Sequence, residues 1–323
     1  MLDDDLPVAL PALIGTSGRY EVIVFGVAMV LVLKYMPDGI WSLVARKLPR
    51  PPRKMDWQDA EPLSARSKPA MGDLVLKVDK IRKQFGGLTA VNDISFDIHA
   101  GRIVGLIGPN GAGKSTTFNL ITGVLSKTSG KVTYRGHDIS ALPSREISRQ
   151  GMARTFQHVK MIPDMTVLEN VALGAYTRGE TGVLSSMLGT NKSEEQRCMK
   201  AAQHQLERIG MGNYLHEQAG NLAMGPQRLM EIARALCCDP ALLLLDEPAA
   251  GLRHKEKQEL IKVLRQLQSE GMSILLVEHD MDLVMDVCDH LVVMEFGTLL
   301  TQGTPAEIQA SPAVRAAYLG TEH

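Results

Sequence analysis

Residues 108–116 read GPNGAGKST, and Gly108, Gly113, Lys114 and Ser115 satisfy the spacing G-x-x-x-x-G-K-S. Glycines at these points let the main chain approach an anion, and successive N–H groups plus a following helix start present positive dipoles to phosphate. The candidate nucleotide contacts are therefore Gly108, Asn110, Gly111, Gly113, Lys114, Ser115 and Thr116. Lys114 would reach the β and γ phosphates of ATP, and the Ser115 hydroxyl would hold the Mg²⁺ that bridges them. A second constellation follows ALLLL at 241–245, where Asp246 and Glu247 emerge together. Asp246 is the candidate for Mg²⁺ through its water shell, and Glu247 the candidate base for an attacking water. An Asp-Glu pair after a strand is by itself often a helix cap, but with the phosphate loop it makes a two-part ATPase site. Ile274 to Val277 ends in Glu278 and His279, which places His279 at the same edge for contact with the γ-phosphate. Gln157, after ARTF at 153–156, could reach the metal or the water.

These side chains need strands that end together. Ile103 to Ile107 and Ala241 to Leu245 are unbroken apolar runs, the pattern of strands buried on both faces in a parallel sheet, whose C-terminal edge is where ligands bind. Leu74, Leu76 and Val78 alternate, as do Ile94, Phe96 and Ile98, predicting half-buried antiparallel strands. Residues 164–239 carry mainly helical patterns (VLENVALGAY, SEEQRCMKAAQHQLERIG, QRLMEIARAL), with a polar loop expected over 177–193. Thr304-Pro305-Ala306-Glu307 has the spacing of a capping box.

With 35 basic and 36 acidic residues among 323, the net charge of −1 argues against bulk binding of nucleic acid. Four cysteines, none in a CxxC pair, exclude a disulfide scaffold and a cysteine-based metal site. The average conceals an uneven start. Val22 to Leu33 (VIVFGVAMVLVL) is uncharged, preceded by Asp3, Asp4 and Asp5 and followed by Arg46, Lys47, Arg50, Arg53 and Lys54. This asymmetry, with Tyr20, Tyr35 and Trp41 at the borders, predicts a transmembrane helix over about 20–36 with its C-terminal side in the cytoplasm. The expected organisation is a membrane segment over 1–47, an exposed proline-rich linker over 48–71 and a catalytic domain over 72–323.

Over the 250 or so residues from Leu74 onward the chain resembles the ATP-binding cassette (ABC) ATPases. Gly108 to Ser115 is similar to the Walker A loop, Gln157 to the Q-loop residue, Leu242 to Glu247 to the Walker B strand and catalytic glutamate, and His279 to the switch histidine. The resemblance implies an α/β P-loop fold, a mixed sheet core with an antiparallel β subdomain and a helical subdomain over about 164–239. It implies ATP and Mg²⁺ as ligands, Gln157 as a further metal contact, and Phe85 as the ring stacked on adenine. Leu222 and Gly225 stand in the signature segment, which reads LAMGPQ where the family has a sequence close to LSGGQ. Ala223 offers no hydroxyl there, and Pro226 is expected as the first helical residue. Arg253 stands in the D-loop where Asp or Asn is usual.

Within the family the likeness is to ATPases of branched-chain amino acid importers, carried by KQFGGLTAVNDISF, ARTFQ, EIARAL, LDEPAAGL, VEHDM and GTPAEIQASPAVRAAYLG. That likeness implies permease subunits, a second cassette in a head-to-tail dimer, a periplasmic amino-acid-binding protein acting indirectly, and a place at the cytoplasmic face of the inner membrane. Related cassettes serve urea and short amides or lipopolysaccharide export, and soluble cassette proteins act as switches. The opening segment LPALIGTSGRYEVIVFGVAMVLVLKYMPDGIW resembles the last membrane helix of the permease of such importers. It is expected to be either a permease tail fused to the ATPase or the end of a longer permease-ATPase polypeptide.

Overall fold

The computed structural model describes residues 19–35, 56–155, 160–178 and 192–319 and divides into two units, Met1–Met55 and Asp56–His323. In the first unit the apolar run forms helix α1 (Arg19–Tyr35). Its 17 residues reach about 25 Å at 1.5 Å per residue, against a hydrocarbon core of about 30 Å. Among the described residues no helix is long and apolar enough to cross a membrane, so the expected transmembrane helix over about 20–36 finds no support there.

The second unit begins with residues 56–70, which carry no helix or strand and which the sequence assigns to an exposed linker. They are fastened along their length. The Trp57 Nε1–H donates to Gln203 Oε1 (2.8 Å), Lys200 Nζ to the Gln58 carbonyl (2.5 Å), Arg178 to the Ser64 carbonyl (2.6 Å) and the Arg66 N–H to Asp239 (2.6 Å). Trp57 and Leu63 pack against the larger apolar core. The segment is irregular and mostly exposed, as the sequence predicts, and these bonds pin it to the cassette.

A twisted antiparallel hairpin follows, β1 (Leu74–Phe85) with β2 (Leu88–His99), registered Leu76 to Ile98, Val78 to Phe96 and Ile81 to Ile94. All six of these side chains are buried, so the alternating positions seen in sequence form the core face of this sheet, except Leu74 at the start of β1, which is exposed. Next come β3 (Ile103–Ile107), α2 (Lys114–Ile121), β4 (Ser129–Tyr134), β5 (His137–Asp138), α3 (Ser144–Arg149) and β6 (Met152–Arg154). Helices then dominate: α4 (Val167–Ala172), a 3-10 turn over Leu173–Arg178, α5 (Lys192–Arg208) and α6 (Met224–Leu236). The rest alternates as β7 (Leu242–Asp246), α7 (His254–Ser269), β8 (Ser273–Val277), α8 (Met281–Val287), β9 (His290–Glu295), β10 (Thr298–Gly303), α9 (Pro305–Ala310) and α10 (Pro312–Leu319).

Two sheets result. One has the order β2-β1-β4-β5 and is antiparallel, and the other has the order β10-β9-β3-β8-β7-β6. In the second sheet β9, β3, β8, β7 and β6 run parallel and β10 antiparallel to β9, so the C-terminal ends of β3, β7 and β8 share one edge. Every residue of these three strands is buried, as unbroken apolar runs require when both faces are covered.

Local chemistry sets the helix ends. Thr304 caps α9, accepting from the Glu307 N–H while Glu307 accepts from the Thr304 N–H, with Pro305 at the start. Helix α6 begins at Met224 after Ala223, so Pro226 is its third residue and not the first as expected. The proline is tolerated because the first four N–H groups of a helix have no intrahelical acceptor in any case.

Candidate functional site

The loop after β3 closes tightly on the sheet. A side chain at Gly108 would bring a Cβ within 2.1 Å of the Met294 carbonyl oxygen, and at Gly113 within 2.6 Å of the Ala90 oxygen. Gly113 is the N-cap of α2 with φ of 95° and no side-chain cap, which leaves the first N–H groups of the helix to an outside acceptor. Asn110, Gly111, Gly113, Lys114, Ser115 and Thr116 line a cavity of about 400 Å³ together with Leu88, Phe296 and Glu247. Gly111 has nothing within 4 Å of where its Cβ would lie. A larger groove of about 680 Å³ lies elsewhere, between the two sheets, but it holds none of these residues.

Lys114 is buried, and its ammonium donates to the carbonyls of Gly108 (2.7 Å) and Pro109 (3.0 Å). Burial lowers its pKa from the usual lysine value, and the charge of Glu247 works against that shift. Phosphate oxygens would bring further negative counter-charge to this ammonium.

Asp246 ends β7 and is buried. Burial raises its pKa above the usual carboxylate range, opposed by Arg154, whose Nη2 lies 3.1 Å from Asp246 Oδ2. Arg154 also donates to Asn119 Oδ1 (2.6 Å) and Thr122 Oγ1 (3.0 Å), and its guanidinium lies 4.6 Å from the centre of the Phe118 ring. It thereby joins β6, β7 and the phosphate-loop helix. Glu247 follows with φ of 48°, a left-handed conformation that is strained for a residue with a Cβ and recurs at functional sites. Its N–H donates to the Val277 carbonyl (2.9 Å), and its own carbonyl accepts from the Ala250 N–H (3.1 Å).

His279 follows β8, and its Nδ1 is 3.9 Å from Glu247 Oε1. Between the two strands sits Glu278, fully buried, accepting N–H bonds from Ala249 (2.7 Å), His279 (3.0 Å) and Asp280 (3.3 Å). Burial pushes its carboxyl above the usual range against those three donors.

The structure thus gathers the phosphate loop and Glu247 around one cavity, with Asp246 and His279 at the same sheet edge. Gln157 lies outside the described residues. Phe85 does not line the cavity: it is half exposed at the hairpin end, with Lys83 Nζ 4.8 Å from its ring centre, and its cross-strand partner Leu88 lines the cavity instead. Phe296, 85% exposed, is the aromatic ring on the cavity wall. Leu222 and Gly225 are also absent from its lining, and Gly225 packs against Glu256 at the start of α7. Sequence reasoning missed Phe296, Glu278 and Arg154. Only Glu278 carried a signal, a carboxylate set straight after a fully apolar strand.

The cavity suits the phosphates of a nucleotide, with Gly113 crowded by the Ala90 oxygen and a buried ammonium beside it. No group of three or more His, Cys, Asp and Glu among the described residues could hold a metal ion alone. Ser115 and Asp246 are the side chains here that could hold Mg²⁺, with the nucleotide's own phosphates as further ligands.

Residues 91–250 match the family model described as ABC transporter, and residues 298–323 match that described as branched-chain amino acid ATP-binding cassette transporter. The high-affinity branched-chain amino acid transport ATP-binding protein LivG of Salmonella typhimurium is 44% identical over 253 residues, covering 77% of this chain and 99% of LivG. BraF of Pseudomonas aeruginosa, which bears the same description, is 41% identical over 249 residues, covering 76% and 98%. Among solved structures, a nucleotide-free ATP-binding cassette from an ABC transporter superposes with a TM-score of 0.69 at 31% identity, covering 76% of this chain and 99% of that one. Another such cassette, in its ADP conformation, also gives 0.69 at 32% identity, with 77% and 99% covered. The chain belongs to the ABC transporter ATPases, in the branch of the branched-chain amino acid importers.

Proposed function

We propose that this chain hydrolyses ATP to drive import of branched-chain or chemically similar amino acids. The observation that carries the reading is the convergence of Lys114, Ser115 and Glu247 on one cavity, with Asp246 and His279 at the same edge. The names of LivG and BraF support the cargo. Bound MgATP supplies the γ-phosphoryl group, with Mg²⁺ neutralising its oxygens. Lys114 and the N–H groups of α2 hold the phosphates in place. Ser115 and Asp246 orient the metal side of the nucleotide, and Glu247 positions the water and takes its proton. His279, beside Glu247, meets the γ-phosphate, and Gln157 is assigned to the metal side.

Leu222 and Gly225 lie away from the chain's own cavity, which supports a head-to-tail pair in which each signature segment closes over the other subunit's ATP. Permease subunits and a periplasmic amino-acid-binding protein complete the importer. Glu247→Gln tests the chemistry: a fluorescent ATP analogue should bind within about threefold of wild type, while turnover should fall at least about 100-fold. Near-normal turnover would remove Glu247 from the base role. Labelled leucine uptake by the reconstituted complex checks the cargo.

We also infer that α1 is the chain's contact with the membrane. Phe25, Met29 and Leu33 on one side of the helix and Val27 and Leu31 on the other are all exposed, and an apolar surface of this kind is at home in lipid. Partition of the full chain and of one lacking residues 1–55 between membrane and soluble fractions tests this.

A further inference from the structure

The last main-chain rung between β7 and β8 is the bond from the Glu247 N–H to the Val277 carbonyl. Past it the two chains separate, one turning through Ala249, Ala250 and Gly251, the other through His279 into α8. No backbone bond joins them across the interval between Glu247 and His279, where the Glu278 side chain lies. One of its oxygens accepts from Ala249, on the turn that presents Glu247, and the other from His279 and Asp280. Asp280 in turn caps α8, accepting from the Leu283 N–H, and pairs with Lys257 of α7. The carboxylate therefore continues the ladder by other means, at a point where it is fully buried and has three donors on two segments.

We propose that Glu278 is a positioning residue for ATP hydrolysis, fastening the Glu247 turn to the His279 segment so that the two side chains keep a fixed spacing. This rests on the roles given above to Glu247 and His279. Glu278 itself is fully buried and lines no part of the nucleotide cavity. Its form explains why a carboxylate serves: it is acceptor-only, with a lone pair available for each of the three N–H groups. Glutamine keeps the shape but turns one oxygen into a donor, which would face an N–H.

The experiment uses the full chain in mild detergent. Glu278→Gln should bind the fluorescent ATP analogue within about twofold of wild type and leave KM similarly unchanged, with kcat lowered about tenfold. A residue that acts through His279 adds little once His279 is gone. The double variant with His279→Ala should therefore turn over within about twofold of His279→Ala alone. A merely structural brace would instead multiply the two losses. Glu278→Met, which keeps the volume and discards the charge, serves if the glutamine variant fails to fold. Wild-type kcat in a folded variant, fully multiplicative losses, or loss of the fold in both variants would each overturn the proposal. Normal turnover by Glu247→Gln would instead overturn the catalytic reading itself, so the two failures are distinct.

Discussion

Arg154 ties together parts that the sequence holds far apart. Its guanidinium serves Asp246, Asn119, Thr122 and the face of Phe118, so one side chain sets the distance from the phosphate-loop helix to the acidic end of β7. Methionine would keep the stem and lose every one of those polar contacts, leaving a buried carboxylate without its cation. Arg154→Met should lower unfolding stability by about 2 kcal/mol, seen as a lower urea midpoint with an unchanged slope. Arg154→Lys should recover only part of it, since an ammonium cannot fork to several acceptors. The phosphate loop, Asp246, Glu247 and His279 were legible because each is a short word fixed to the end of an apolar strand. Arg154 and Phe296 were not, because their roles depend on which partners three separate elements bring to them. Phe85 stands at the hairpin end outside the lining, where its cross-strand partner Leu88 lines the cavity.

Among the elements, the antiparallel hairpin and the buried parallel strands were read from period-two alternation and from unbroken apolar runs. The start of α6 was placed less well, and its two unusual residues are related. Ala223 is an N-cap without a side-chain acceptor, and Pro226, three residues on, lacks the N–H that such an acceptor would meet. The absent acceptor and the absent donor offset each other. Ala223→Ser alone should therefore gain less than about 0.5 kcal/mol, with only the Gly225 N–H left to cap. In a Pro226→Gln background the same change should gain about 1 kcal/mol. Urea midpoints of the four chains in this cycle check it, and equal gains in both backgrounds would show that the two positions are independent.

For the whole molecule, the boundary between units falls at Met55 and Asp56, while the composition of the sequence places the catalytic domain's start near residue 72. The difference is the segment 56–70. Its first residues are bound to α5 through Gln203 and Lys200, and its last to the β7 end of the core, where the Arg66 N–H and the Lys68 ammonium (2.7 Å) both meet Asp239. Deleting residues 1–55 should leave the urea midpoint of the cassette where it is in the full chain, because α1 belongs to the other unit. Deleting residues 1–71 removes the partly buried Trp57 and Leu63 and strands the acceptors and donors of Asp239, Lys200 and Arg178. That chain should be less stable by roughly 1–3 kcal/mol, the burial of one aromatic ring and a few bonds less the entropy of ordering the strap. Equal midpoints for both truncations would make 56–70 a passive tether. A lower midpoint for the longer deletion alone makes it part of the cassette, joining the helical subdomain to the sheet that carries the site.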